Sequence, residues 1–138
     1  MEIVWFLSNP IVEGGVDMSV HKLPDAELTV MQALWACGGE EDRRGIEEKL
    51  SRPMAPTTLL TLLGRLGDRG FLKIEKSGRR TRYTALISRE TYLAGQSRRF
   101  FETLCGGDLP AFASALCQSG LSKEELRELR ELLERNEL

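Results

Sequence analysis

One segment constrains the fold of this chain more than any other, the stretch MAPTTLLTLLGRLGDRGFLKIEKSGRRTRY at residues 54–83. Pro56 suits the first turn of a helix, where its missing N–H costs little, and Gly70 suits the position just after the last turn. Leucines between them recur at the spacing of one helical face, namely Leu59, Leu62, Leu63 and Leu66. The residues that follow predict a strand at Phe71–Glu75, a turn at Ser77-Gly78 and a return strand at Thr81–Ile87. A helix followed by a tight hairpin predicts the second half of a winged helix-turn-helix.

The residues before this segment predict the first half of the same domain. A helix is expected over Asp25–Trp35, ended by Gly38-Gly39, because apolar residues recur there at helical spacing. Asp42 is the expected N-cap of a short second helix that carries Ile46 and Leu50 and stops at Arg52-Pro53. The sequence therefore predicts a fold that is mainly α with a small β wing, in which residues 21–87 form a winged-helix domain.

Charge is distributed unevenly along the chain. Residues 43–82 contain eleven Lys and Arg against four acids, a net charge of +7, whereas residues 1–42 contain one Lys against eight acids, a net charge of −7. Residues 83–138 contain seven cations against nine acids, a net charge of −2. A basic stretch that coincides with a helix and a hairpin indicates a protein that binds a polyanion. The overall net charge of −2 argues against a protein that coats nucleic acid indiscriminately.

Polar side chains on the third helix are the first candidates for reading DNA. They share one face opposite the leucines, at positions i, i+1, i+4 and i+8: Thr57, Thr58, Thr61 and Arg65. Threonine hydroxyls near a helix start can donate to phosphates, and threonine methyls can pack on thymine methyls in the major groove. The alternative is that these threonines cap the helix or bond back to its own backbone.

Cations at the hairpin are the second group of candidates. They lie at or beside the predicted tip, where Gly78 permits a tight turn: Lys76, Arg79, Arg80 and Arg82. Their mutual repulsion would be relieved by a sugar-phosphate backbone. A solvated basic loop is the alternative, and a winged-helix module that binds a protein partner in place of DNA is the alternative for the domain as a whole.

The chain after Ile87 predicts three short amphipathic helices in a domain at residues 88–138. The first begins near Ser88 and ends at Gly106-Gly107, the second spans Leu109–Cys117, and Ser122 with Glu125 forms a capping box that opens the third. Helices this short rarely bury their apolar faces alone, so we expect a two-fold dimer, with an intramolecular core as the alternative. The expected dimer contacts are Tyr92, Phe100, Phe101, Leu104, Phe112, Leu116, Leu126, Leu129 and Leu133.

Several other classes of protein are disfavoured. The cysteines Cys37, Cys105 and Cys117 are odd in number and widely spaced, which argues against a disulfide framework or a metal site and favours the reducing cytoplasm. His21 has no second histidine with which to share a metal, and no catalytic motif is recognisable, so we expect neither a cofactor nor an enzyme. The apolar run Ile3–Leu7 is too short to span a bilayer, so we expect no membrane insertion, and we interpret residues 1–20 as a disordered or non-native extension.

Five blocks in order resemble the penicillinase repressor family, the BlaI/MecI/CopY group of bacterial transcription regulators. They are KLPDAELTVMQALW, TTLLTLLGRLGDRGFL, GRRTRYTALIS, GGDLPAF and LSKEELRELRELLE, and together they span about Lys22 to Glu134. The resemblance implies a winged-helix domain that binds double-stranded DNA, a helical dimerisation domain, and repression at a palindromic operator. In the β-lactam branch it also implies a membrane sensor protease as a partner, with cleavage of the repressor in its dimerisation domain.

The chain departs from that family at Pro56, where the family often has an aromatic or polar residue, and at two features that concern induction. The family's cleaved bond is Asn-Phe, and the matching bond here, the candidate site of proteolytic induction, is Ala115–Leu116, which lacks that residue pair. The copper-responsive branch carries C-terminal CxC motifs that bind Cu(I) through thiolates. This chain ends in NEL without such a motif, so the resemblance does not extend to copper sensing.

Overall fold

The computed structural model describes residues 21–136, which divide into two compact units after Ser97. The expected extension at residues 1–20 lies outside the described residues. The first unit contains α1 (Asp25–Ala36), β1 (Glu40–Asp42), α2 (Arg43–Glu48), α3 (Pro56–Asp68), β2 (Leu72–Ser77), β3 (Arg80–Ala85) and most of α4 (Arg89–Arg99). The second unit continues from the end of α4 through a π-helical segment (Phe100–Leu104), α5 (Leu109–Gln118) and α6 (Lys123–Arg135).

The core of the first unit lies between α1, α3 and the sheet. The predicted leucine stripe of α3 is confirmed, since all four leucines are buried. They join Met31 and Leu34 of α1 and Ile46 of α2 in one apolar cluster. Burial of an apolar side chain contributes about 1.5–3 kcal/mol, so this cluster holds α3 with its opposite face outward.

Local capping signals place the start of α2 and both ends of α3 where the sequence predicts them, whereas α2 ends at Glu48, before Leu50 and the expected stop at Arg52-Pro53. The Asp42 carboxylate accepts a hydrogen bond from the Gly45 N–H at 2.9 Å and so begins α2. Pro56 occupies the first position of α3, and Gly70 follows its end with a φ of 82°, a left-handed conformation that favours glycine. These interactions depend on neighbouring residues alone, which is why the sequence reveals them.

The sheet has three antiparallel strands in the order β1-β3-β2, one more than the sequence predicts. β2 and β3 form the expected hairpin, with Ser77 opposite Arg80 and Gly78 in the turn at a φ of 63°. The additional strand, β1, pairs with β3 so that Asp42 faces Arg82. Its sequence is Glu-Glu-Asp, which has no apolar alternation, so only pairing with β3 makes it a strand.

The first unit extends ten residues beyond the boundary at residue 87 that the sequence indicates. Tyr92 explains the difference, because it is 3% exposed and its hydroxyl accepts a hydrogen bond from the Leu23 N–H at 2.8 Å. Its ring also contacts Trp35, with 5.8 Å between ring centroids, and Phe71, with 6.2 Å. The expectation that Tyr92 contributes to a dimer surface is therefore wrong, since the side chain is enclosed in the core of its own domain.

The second unit is helical but contains no buried residue between Arg98 and Asn136. The predicted capping box of α6 is confirmed by reciprocal bonds between Ser122 and Glu125. The aromatic ring of Phe112 on α5 lies 5.8 Å from Phe100 and 5.5 Å from Phe101, measured between ring centroids. Their side chains nonetheless stay partly exposed, so this unit leaves apolar surface open to solvent.

Candidate nucleic-acid interface

The outward face of α3 carries the polar residues that the sequence selects. Thr57, Thr58, Thr61 and Arg65 are all exposed, opposite the buried leucines. At the start of the helix, Ala55 offers no side-chain acceptor to the backbone N–H groups of the first turn. Because those groups also have no partner within the helix, they are available to an anion such as a phosphate.

Thr61 differs from the other two threonines. Its hydroxyl donates to the carbonyl oxygen of Thr57 at 3.0 Å, which is the back-bonded arrangement that the sequence left open. While its proton is engaged with Thr57, the Thr61 oxygen can still accept a hydrogen bond from a ligand. In this arrangement the exposed side chain offers an acceptor and a methyl group.

The four cations of the wing separate into two kinds. Lys76, Arg79 and Arg80 are exposed and make no ion pair with any residue in the range 21–136. Arg82 lies further down the hairpin, where its Nε is 3.4 Å from the Glu40 carboxylate on β1. Three cations are thus free to meet a phosphate, whereas the fourth is already engaged across the sheet.

Two further arginines belong to this surface and were not selected from the sequence. Arg43 and Arg44, at the start of α2, line a cleft of about 380 Å³ together with Arg79 and Arg80 at the wing. The exposed side chain of Leu60 on α3 also lines it. Sequence reasoning missed this cluster because about 35 residues separate its two halves, and pairing of β1 with β3 brings them together. The sequence feature that could have indicated this cluster is the Arg-Arg pair directly after the Asp42 N-cap.

Two titratable groups in the cleft show how the charges act on one another. The hydrogen bond from the Gly45 N–H is the main cause that lowers the pKa of the Asp42 carboxyl; loss of solvent opposes it, and the nearby charges of Arg80 and Arg82 lower the pKa further. Burial raises the pKa of the Tyr83 hydroxyl, an effect that Arg43 partly offsets. The Asp42 carboxylate therefore carries a negative charge that caps α2. The other charged side chains that line the cleft are arginines.

An ion pair between a buried carboxylate and a half-exposed arginine lies at the C-terminal end of α3. The Arg69 guanidinium lies 2.9 Å from the Glu27 carboxylate on α1, although its N–H is not aligned for a hydrogen bond. The Glu27 side chain is 3% exposed and that of Arg69 is 49% exposed. An unpaired buried carboxylate is costly, so this contact fixes the position of α3 against α1.

The predicted dimer contacts other than Tyr92 lie on the second unit or at its start. Leu116, Leu126, Leu129 and Leu133 line one groove of about 750 Å³ between α5 and α6. Phe100, Phe101, Leu104 and Phe112 lie outside that groove; Leu104 is the most exposed of them. The Ala115–Leu116 bond lies within α5, and both residues are half-buried.

The described residues contain no group of three His, Cys, Asp or Glu side chains that could hold a metal ion. The three cysteines are free thiols, and His21 is exposed. Burial is the main cause that raises the pKa of the Cys37 thiol, and Glu41 adds to it, so this sulfur is less reactive than an ordinary thiol. Within residues 21–136, none of the helices has the length and apolar character needed to cross a membrane.

Comparison with known proteins identifies the family. The model of the family described as "Penicillinase repressor" matches residues 23–135. The penicillinase repressor of Bacillus licheniformis is 31% identical over 117 residues, which cover 83% of this chain and 91% of that protein. An uncharacterised 16.5 kDa protein of Latilactobacillus sakei is 33% identical over 117 residues, which cover 83% of this chain and 80% of that protein.

One solved structure similar to this chain is the monomeric form of Bacillus licheniformis BlaI in complex with the blaP half-operator. It is 30% identical with a TM-score of 0.45, and the match covers 54% of this chain and 92% of that one. The family match spans both units described above, from Leu23 to Arg135. The chain therefore belongs to the penicillinase repressor family of DNA-binding transcriptional repressors.

Proposed function

We propose that this protein acts in the cytoplasm as a homodimer that represses transcription by occupying a dyad-symmetric operator. One observation carries the DNA-reading part: Leu60 on the outward face of α3 lines one cleft with four arginines, Arg79 and Arg80 of the wing and Arg43 and Arg44 of α2, of which Arg43 is paired with Glu47 at 2.8 Å. In this arrangement α3 enters the major groove, where Thr57, Thr58, Thr61 and Arg65 meet bases and phosphates. The wing and Arg44 hold the flanking backbone.

The basic wing favours DNA over a protein partner as the ligand of this domain. Arg79 and Arg80 are exposed side by side at a hairpin tip and make no close ion pair in the described part of the chain. A duplex supplies closely spaced phosphates and releases counterions on binding. A protein-interaction surface has no need of several uncompensated arginines at a protruding turn.

The second unit supports the dimer. Between Arg98 and Asn136 it buries no residue, yet it presents a groove in which four of the eight lining residues are leucines. Burying such a groove against a second copy would remove apolar surface from water at about 25 cal/mol per Å². A two-fold dimer would also present two recognition helices to two half-sites about one helical turn, or a small multiple of it, apart.

Two experiments test this function. Sequencing of genomic fragments that the purified protein retains should return a motif with dyad symmetry; retention of fragments without a shared motif would contradict sequence-specific repression.

Leu129→Asp, which places a charge in the leucine groove, should give monomers in sedimentation velocity. Arg127→Asp is the matched control, because it puts the same residue at an exposed position of α6 outside the groove and should leave the dimer intact.

The signal that relieves repression is a separate proposal. By resemblance to the β-lactam branch, a membrane sensor protease is the candidate partner and Ala115–Leu116 the candidate bond. Because this bond lies within α5, cleavage requires that helix to open locally. Mass spectrometry of the protein from cells challenged with a β-lactam tests this, since cleavage there predicts a new N-terminus at Leu116. An intact chain in derepressed cells would exclude proteolytic induction.

A further inference from the structure

Two positions on the outward face of α3 are not used by the fold itself. Leu60 is 47% exposed, and a Cβ added at Gly64 would meet no atom of the described residues within 4 Å beyond its chain neighbours and the adjacent backbone of α3 itself. The two lie four residues apart and are therefore neighbours on one face, next to Thr57 and Thr61. A single exposed leucine is ordinary; the position of Leu60, beside the threonines proposed to read DNA, is what requires an explanation.

Gly64 differs from the other glycine inside α3. At Gly67 an added Cβ would lie 3.0 Å from the Ile74 Cδ1 on β2, so the close approach of helix and strand accounts for that glycine. Gly64 has no such neighbour, and glycine inside a helix is less stable than alanine because it loses more backbone freedom on folding. The open space at Gly64 therefore faces outside the domain, toward whatever α3 binds.

We propose that Leu60 is a specificity-determining residue that packs on the C5-methyl group of a thymine, and that Gly64 allows α3 to approach the base closely enough for this contact. This inference rests on the proposed function, since it requires α3 to lie in the major groove. The thymine methyl is the apolar group that base pairs display there. A leucine side chain has no donor or acceptor, so apolar contact is its means of distinguishing bases.

The neighbours of Leu60 have matching chemistry. The Thr61 side chain is exposed and carries a methyl group, and its hydroxyl donates a hydrogen bond to the carbonyl oxygen of Thr57. The remaining acceptor of Thr61 complements the amino group of an adenine, the partner of thymine in its base pair. Leu60, Thr61 and the bare backbone at Gly64 thus suit an A·T base pair near the centre of the helix contact.

The experiment begins with an operator that the wild-type dimer selects from random duplexes. Each thymine is then replaced singly by deoxyuridine, which removes the C5-methyl group and preserves base pairing. At one position in each half-site, wild type should bind the uracil duplex about fourfold more weakly than the thymine duplex. This factor corresponds to the free energy of burying one methyl-sized group. Leu60→Ala should bind the thymine and uracil duplexes at that position with nearly equal affinity.

Leu93→Ala is the matched control, because Leu93 is 45% exposed on α4 and lies outside the α3 face. It should retain the full effect of uracil, and the thermal unfolding curves of the two leucine variants should coincide. Gly64→Ala supplies a second readout, in which the unfolding temperature rises while operator affinity falls at least tenfold, because the methyl group holds α3 away from the bases.

If wild type binds its operator specifically but has the same affinity for the uracil and thymine duplexes at every position, this inference is wrong. The proposed repressor function would be unaffected by that result. Retention of the full uracil effect by Leu60→Ala would overturn the inference equally, and so would Gly64→Ala binding the operator as tightly as wild type. A protein that selects no sequence from random duplexes would overturn the proposed function together with the assignment of Leu60.

Discussion

Removal of the two free arginines from the wing should change the salt dependence of DNA binding by a calculable amount. Arg79 and Arg80 are exposed and have no ion pair within the described chain, so each is available to neutralise one phosphate. Each neutralised phosphate contributes about 0.9 to the slope of log K against log salt concentration. The double variant Arg79→Ala/Arg80→Ala should therefore have a slope about 1.8 smaller than wild type, with weakened binding to every sequence.

Fluorescence-anisotropy titrations of the operator at several salt concentrations measure this slope. A slope difference of about 1.8 means that the ratio of wild-type to variant affinity falls about twelvefold as the salt concentration rises from about 50 to about 200 mM. Arg82→Ala is the control, because this side chain is already paired with Glu40 at 3.4 Å and should change the slope by much less than 0.9. An unchanged slope in the double variant, or an equal change in Arg82→Ala, would refute the assignment of the wing.

Three single substitutions, one of them combined with a second change, test the contacts that support the interface. In Tyr92→Phe the buried Leu23 N–H loses its acceptor 2.8 Å away, so the unfolding free energy in a denaturant titration should fall by about 1–3 kcal/mol. Arg69→Met leaves Glu27 buried and unpaired; because Arg69 is half exposed, we expect a loss of about 2 kcal/mol, and a second change to Glu27→Gln should recover most of it. The lowered pKa of Asp42 means that its carboxylate stabilises the fold above about pH 4 and that this contribution is lost as the pH falls through that pKa. Asp42→Asn caps α2 without titrating, so the variant's unfolding temperature should lack this acid-dependent component.

The helices of the first unit could be predicted because their signals are local. A cap needs a side chain within three residues, and a buried face needs only a repeat near 3.6 residues, so Asp42, Pro56 and the leucines of α3 are readable in the chain. β1 could not be predicted, because Glu-Glu-Asp has no strand pattern and becomes a strand only through its partner β3. Tyr92 was misassigned for a related reason: its spacing suits an amphipathic helix, and its burial depends on Leu23, some seventy residues away.

The candidate site divides in the same way. The sequence by itself determined which residue types face outward on α3 and at the wing, since those follow from helical period and from a glycine turn. Only the tertiary structure decided which cations are free, because pairing of β1 with β3 engages Arg82 with Glu40 and brings Arg43 and Arg44 beside the wing. Helical period and capping act over a few residues, whereas ion pairs and clefts depend on segments that meet only after folding.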